Sequence, residues 1–72
     1  MKLIIAGHYA QARYWAQEWR LGREGIEWRY ISGADQLRGL HDQEILFCGT
    51  WADRDDVKEI QRWARVAGQR TA

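Results

Sequence analysis

The sequence predicts an α/β fold in which three helices flank a three-stranded parallel sheet, in the order β-α-β-α-β-α. Residues 3–6 and 45–48 are short apolar runs without a polar face, as expected of strands that are buried on both sides. Each run ends at a glycine, and a segment of helical character follows. A third strand, at 26–31, alternates between apolar and polar residues, which is typical of an edge strand. We therefore expect strand order 2-1-3, a minimal Rossmann-like arrangement in a single domain over 1–72.

The segment after the first strand predicts an amphipathic helix over 9–21. It contains neither glycine nor proline. Ala12, Trp15, Ala16 and Trp19 recur at the spacing that places side chains on one helical face. Because two of these residues are small, the helix can lie close to the sheet.

The alternating strand leads into a short second helix. One side of the strand carries apolar residues and the other carries charges: Ile26, Trp28 and Tyr30 against Glu27 and Arg29. Turn residues at 32–35 follow, with an aspartate suited to capping a helix. The helix is expected from Gln36 to about His41, with Leu37 and Leu40 as its apolar contacts.

The last helix is expected to begin at Asp53. Aspartates at 53, 55 and 56 favour the positive end of a helix dipole. Such acids act more often as caps than as metal ligands, so no metal site is predicted. Val57, Ile60 and Ala64 begin the apolar stripe of this helix, Gly68 ends it, and the tail after it is expected to fray.

Composition limits the class of protein. Formal net charge is +1 over 72 residues, with acids and bases interspersed, which makes a nucleic-acid partner unlikely on charge grounds. The single cysteine, Cys48, excludes an internal disulfide and favours a reducing cytoplasm. It falls inside an apolar run, where a thiol usually behaves as a small buried hydrophobe. No apolar run reaches the length of a membrane span.

Small size and an apolar edge strand together predict a homodimer. A chain this short buries only about 60% of its unfolded surface. With order 2-1-3, the third strand lies at an edge although it is apolar on both faces. Because an unpaired apolar edge invites pairing with another chain, we expect two copies to join at or near it.

A candidate ligand site follows from the strand order. Ligands of open α/β sheets bind beyond the carboxyl ends of the strands, where the order reverses. The loops after strands 1 and 3 meet there and supply these side chains: His8, Tyr9, Thr50, Trp51 and Arg54. Such a set could bind a nucleotide or another anion. The competing interpretation is that these residues are turn and cap chemistry, since no glycine-rich phosphate motif is present.

A second candidate is a surface of aromatic rings and arginines. This composition is enriched at protein interaction hot spots. Trp19 and Trp28 are expected in the core, whereas Trp15, Trp51 and Trp63 are the better candidates for exposed anchors. Arg13, Trp15 and Trp63 are thus predicted to contact a protein partner. No catalytic residues and no cofactor are predicted.

The motifs at 4–12 (IIAGHYAQA), 27–32 (EWRYIS), 37–40 (LRGL) and 48–56 (CGTWADRDD) resemble a family of small α/β proteins encoded by phages of actinobacteria. The resemblance implies a viral protein made in a bacterial cytoplasm, and it supplies no catalytic residues. Small accessory phage proteins often bind host proteins. The expected function is therefore a non-enzymatic accessory protein that binds a host protein, with a nucleotide- or anion-binding domain as the alternative.

Overall fold

The computed structural model describes residues 1–40 and 43–67. Its helices and strands, in chain order, are β1 (Lys2–Ile5), α1 (Tyr9–Glu18), β2 (Trp28–Tyr30), β3 (Glu44–Phe47) and α2 (Val57–Ala67). Two short 3₁₀ turns, Ala34–Leu37 and Trp51–Asp53, lie in the connections. The predicted helix end at Gly68 and the tail after it fall outside the described residues.

The strands form a parallel sheet of order β2-β1-β3, which confirms the predicted order. Leu3 of the central strand lies between Arg29 on one side and Ile45 on the other. Ile4 and Ile5 of β1 are fully buried. The apolar residues of this central strand need cover on both faces of the sheet, and α1 and α2 supply it.

Two apolar clusters cover the two faces of the sheet. Successive residues of a strand point to opposite faces, so Leu3 and Ile5 belong to one cluster and Ile4 and Ala6 to the other. The first cluster packs against Ile60 and Ala64 of α2, together with Ile31, Ala34, Leu37 and Ile45. The second packs against Ala12 and Ala16 of α1, together with Trp28 and Cys48. The small residues predicted to bring α1 close to the sheet do so.

The predicted middle helix is not confirmed, and the described residues contain two α-helices. The segment forms only the 3₁₀ turn Ala34–Leu37, after which Arg38 is extended and Gly39 has a φ of 77°. A left-handed residue so soon after the turn prevents helical propagation. Leu37 is nevertheless buried in the predicted way. His41, the predicted end of this helix, lies outside the described residues.

Other elements are shorter than predicted. The predicted strand at 26–31 begins only at Trp28, because residues 23–27 form a turn in which Gly25 has a φ of 85°. Ile26 is consequently 64% exposed and is not a strand residue. The last helix begins at Val57, four residues later than predicted, because the 3₁₀ turn Trp51–Asp53 and an extended Arg54 precede it.

The burial of the tryptophan side chains differs from the prediction. Trp28 is buried, as expected, but Trp19 is 39% exposed, so its predicted place in the core is wrong. The reason is that α1 ends at Glu18 and the chain turns at Arg20, whose φ is 53°. Trp15, Trp51 and Trp63 are partly buried against the apolar clusters and are not fully exposed anchors.

Candidate functional site

The carboxyl ends of β1 and β3 are bridged by the side chain of Gln11, from the first part of α1. Its Oε1 accepts hydrogen bonds from the backbone N–H of Gly7 at 2.8 Å and of Thr50 at 3.0 Å. Its Nε2 donates to Thr50 Oγ1 at 3.0 Å. The crevice in which a ligand was expected between the two loops therefore contains this glutamine amide.

Two glycines make room for the Gln11 bridge. A Cβ atom at Gly7 would overlap Thr50 Oγ1 and come within 2.7 Å of Gln11 Oε1. A Cβ atom at Gly49 would overlap the amide of Gln11, and Gly49 has a φ of 60°. Both loops thus approach Gln11 so closely that a Cβ atom at either position would force a neighbouring side chain to move.

Arg54 occupies the other part of this end of the sheet, and its side chain is 8% exposed. Its Nη1 donates to the carbonyls of Ala6 at 3.0 Å and Ile31 at 2.8 Å, and its Nη2 donates to the carbonyl of Ser32 at 2.8 Å. Asp56 accepts from Nε at 3.0 Å and from Nη2 at 3.1 Å. All five N–H groups of the guanidinium therefore have acceptors within the protein.

The Arg54 contacts join the chain that follows each of two strands. Ala6 follows β1, while Ile31 and Ser32 follow β2, and Arg54 itself comes from the loop after β3. The guanidinium also lies 5.8 Å from the centre of the Tyr30 ring. One side chain thus supplies donors to strand-end carbonyls from both loops, which is a structural role for the residue.

The five predicted ligand-binding residues do not converge on one open space. His8 is exposed at the start of α1, and its side chain forms no capping hydrogen bond. Thr50 is bonded to Gln11, and the Trp51 ring lies 4.6 Å from that of Phe47. Arg54 is fully engaged, as described above. Their role in ligand binding stays a prediction, and each residue except His8 has a described partner of its own.

Tyr9 points away from the crevice, toward the turn before β2. Its hydroxyl donates to Glu24 Oε1, and its ring meets that of Tyr30 edge-on at 5.9 Å. The hydrogen bond to Glu24 raises the pKa of Tyr9 above its ordinary value, with burial and the Glu24 charge adding to the effect and Arg13 opposing it. The phenol is therefore a donor at neutral pH and is poorly suited to act as a base.

A shallow groove of about 370 Å³ lies between α1 and this turn. Tyr9, Arg13 and Glu24 line its sides, and Ala16 and Trp28 lie at its base. The indole N–H of Trp28 donates to the carbonyl of Gly22 at 3.2 Å and so is already used. Arg13 is exposed, as a residue that contacts a partner must be.

An extended aromatic surface is formed by α1 and the residue that follows it. Tyr14, 56% exposed, meets Trp15 edge-on with 5.3 Å between ring centres. Trp15 in turn lies 5.3 Å from Trp19. Trp15, which contacts both exposed rings, also packs against the apolar cluster below. We call Tyr14, Trp15 and Trp19 the aromatic ladder.

Trp63 forms a separate and smaller aromatic site on α2. It packs against the apolar cluster on that face of the sheet. The guanidinium groups of Arg38 and Arg62 lie 5.6 Å and 6.0 Å from the centre of its ring. The arginines partly cover this tryptophan, which therefore presents less free ring surface than the ladder does.

Three further features bear on function: the cysteine, the candidate metal ligands and the length of the helices. Cys48 is buried, and burial raises the pKa of its thiol, which keeps it protonated and unreactive at neutral pH. No group of three or more His, Cys, Asp or Glu residues that could hold a metal ion is present in the described ranges. No helix among them is long and apolar enough to cross a membrane.

Fold and site together define a small α/β protein with a parallel sheet whose strand ends are joined by its own side chains. Comparisons with protein-family models, with curated proteins and with solved structures found no match to this chain. Its function must therefore be argued from its own residues.

Sequence reasoning missed Gln11 and Tyr14. The glutamine lies off the apolar face of α1, where polar residues normally contact solvent, and its bonds to loops distant in sequence leave no local pattern. The exposure of Tyr14 could have been predicted from the sequence, because an aromatic residue off the apolar face of an amphipathic helix is expected to be exposed.

Proposed function

We propose that this protein is a non-enzymatic interaction module that binds a protein partner through the aromatic ladder of α1. The observation that supports it is the ladder itself: three adjoining rings, of which Tyr14 and Trp19 are exposed while Trp15 is held by the core. Rigid aromatic side chains of this kind provide contact area at a low entropic cost. Arg13, predicted as a contact residue, is exposed on the same helix.

We propose that the protein acts in a bacterial host cell. The resemblance to phage-encoded proteins supports a viral accessory protein that acts in the host cytoplasm on a host protein. Strand order 2-1-3 supports counting the fold as a minimal Rossmann-like one, although a 3₁₀ turn replaces the middle helix. Trp63 remains a second proposed contact, with Arg38 and Arg62 beside it.

The alternative function, nucleotide or anion binding at the loops after β1 and β3, has less support. An anion there would have to displace the acceptors that already engage Arg54. It would also have to displace the Gln11 amide from the gap between the loops. A thermal shift with a panel of nucleotides and inorganic phosphate tests this alternative. A rise in melting temperature that is lost in His8→Ala would favour it.

Capture of partners from a bacterial lysate tests the proposed function. The bait is the folded protein, compared with a Tyr14→Ala/Trp19→Ala variant. A specific partner is expected to be captured by the native bait and then to bind the purified protein. Loss of two exposed hot-spot rings should weaken that binding by roughly 2 kcal/mol or more, about thirtyfold.

The matched control removes an exposed apolar side chain elsewhere. Ile26 is 64% exposed in the turn before β2 and is not part of the ladder. Ile26→Ala should bind the partner as tightly as the native protein does. Equal binding by the ladder variant, with its circular dichroism unchanged, would show that α1 is not the contact surface.

A further inference from the structure

The two edges of the sheet differ in how their backbone groups are used. In a parallel sheet, alternate residues of a strand direct both N–H and C=O to the same neighbour. Cys48 N–H donates to the Ile5 carbonyl at 3.0 Å, so 44, 46 and 48 face β1. Ile45 and Phe47 therefore direct their backbone groups outward from β3.

The outer edge of β2 is partly covered by its own chain. Trp28, which faces outward there, accepts from the N–H of Gly25 at 2.7 Å and donates to the Arg23 carbonyl at 3.4 Å. Glu24 and Trp28 also form an isolated parallel β-bridge. Among residues 1–40 and 43–67, no equivalent backbone bond is found for the outward groups of Ile45 and Phe47.

The side chains of β3 make the same edge apolar. Phe47 is 38% exposed, and its ring packs on Trp51. Leu46 is only partly buried on the opposite face. Glu44 is the one charged residue of the strand, and it pairs with Lys2 at 3.5 Å, at the end away from Phe47. An apolar edge without inward charge or proline lacks two of the usual protections against strand pairing.

We infer that β3 pairs with β3 of a second copy, antiparallel about a two-fold axis at Leu46. In this register Ile45 lies opposite Phe47 of the second copy, and the reverse also holds. The two outward residues of each strand then exchange all four of their backbone hydrogen bonds. Leu46 faces its own counterpart, and Phe47 gains apolar cover from the second Ile45. This pairing is independent of the aromatic ladder and of the proposed function.

The two-fold register also keeps the negatively charged Glu44 side chains of the two copies apart. With Leu46 at the axis, Glu44 lies opposite Cys48 of the second copy, so the two carboxylates do not face each other. Because the strand is its own complement in this register, a second copy satisfies the edge without any foreign segment. A foreign extended peptide would need its own matching apolar pattern to do the same.

Cysteine cross-linking tests the register. Opposed residues that do not exchange hydrogen bonds have Cα atoms about 4.5 Å apart, within the disulfide range of about 4.4–6.8 Å. Leu46→Cys in a Cys48→Ser background should therefore form a covalent dimer under mild oxidation. Glu44→Cys in the same background is the control, because its counterpart lies four residues out of register and should not cross-link.

Solution mass provides the second measurement. Phe47→Pro removes an outward N–H without touching the bonds to β1, as an edge proline can. Phe47→Val removes the same ring but keeps the N–H. Sedimentation should give the mass of two chains for the native protein, a weakened dimer for Phe47→Val, and a folded monomer for Phe47→Pro. A native monomer at all concentrations, or a dimer that Leu46→Cys does not cross-link, would overturn the pairing.

Discussion

Replacing Arg54 should destabilise this protein more than replacing any exposed arginine. Arg54→Ala removes six hydrogen bonds, one of them a long contact with the Tyr30 hydroxyl, and leaves three backbone carbonyls and the Asp56 carboxylate without their donor. Breaking one partner of a buried ion pair costs about 3–5 kcal/mol. The side chain of Asp56 is 32% exposed and can be hydrated, so we expect a loss of about 3 kcal/mol, at the lower end of that range.

That loss is large for a chain of this length. At roughly 0.05–0.15 kcal/mol per residue, 72 residues correspond to a free energy of unfolding of about 4–11 kcal/mol. A loss of about 3 kcal/mol should lower the melting temperature by about 12–24 °C. Arg54→Lys keeps the charge but not the planar five-donor geometry, so it should recover only part of the stability.

Urea unfolding followed by tryptophan fluorescence measures these effects. The matched control is Arg65→Ala, because Arg65 is exposed on α2 and should change the free energy of unfolding by less than about 0.5 kcal/mol. If Arg54→Ala lowered stability no more than the control did, the guanidinium would not be holding the strand ends. Full recovery by Arg54→Lys would show that charge alone is enough.

Three further predictions follow from described contacts. Gly7→Ala should lower the free energy of unfolding by about 1–3 kcal/mol in a chemical denaturation assay, and by less in a Thr50→Ala background, because the overlapping Oγ1 is then absent; equal losses in both backgrounds would exclude that contact. In an ultraviolet absorbance titration, the Tyr9 hydroxyl should lose its proton at a higher pH than an ordinary tyrosine does. Its raised folded-state pKa means that the Glu24 bond stabilises the protein fully below pH 10 and is lost as pH rises through the folded pKa. Tyr9→Phe should abolish this late transition, and its persistence would assign it to another group. Burial of Cys48 should make its thiol react with a disulfide reagent much more slowly in the native protein than in urea; equal rates would show that the strand end is open.

The sheet could be predicted because its signals are local and strong. An apolar run that leaves no polar face has few alternatives to a doubly buried strand, and it identified β1 as central. Burial of Trp28 is predicted because the alternation of apolar and polar residues places its side chain on the apolar side of the strand. The spacing of Ala12 and Ala16 identified the buried face of α1. These features depend on periodicity within a few residues, which a single sequence displays.

The candidate site could not be predicted because its contacts join distant segments. Arg54 donates mainly to backbone carbonyls. Because every residue has a carbonyl, these acceptors cannot be recognised from the sequence. Gln11 likewise accepts from the backbone of Gly7 and Thr50. Capping residues and apolar spacing predict the middle helix, but the left-handed backbone at Gly39 prevents the 3₁₀ turn from continuing as an α-helix. Trp19 is predicted in the core because the sequence predicts a helix over 9–21, whereas α1 ends at Glu18.

The turn at 23–27 has a consequence for how many copies can assemble. It engages Trp28, so Tyr30 is the only remaining outward-facing residue of β2, too short a stretch to accept another strand. If two copies join at β3, both ends of the resulting six-stranded sheet are β2 edges that the turn has closed. A symmetric joint of this kind terminates after one step, whereas two open edges would permit endless addition. In such a pairing, these few residues of turn would limit the assembly to two copies and prevent growth into a fibre.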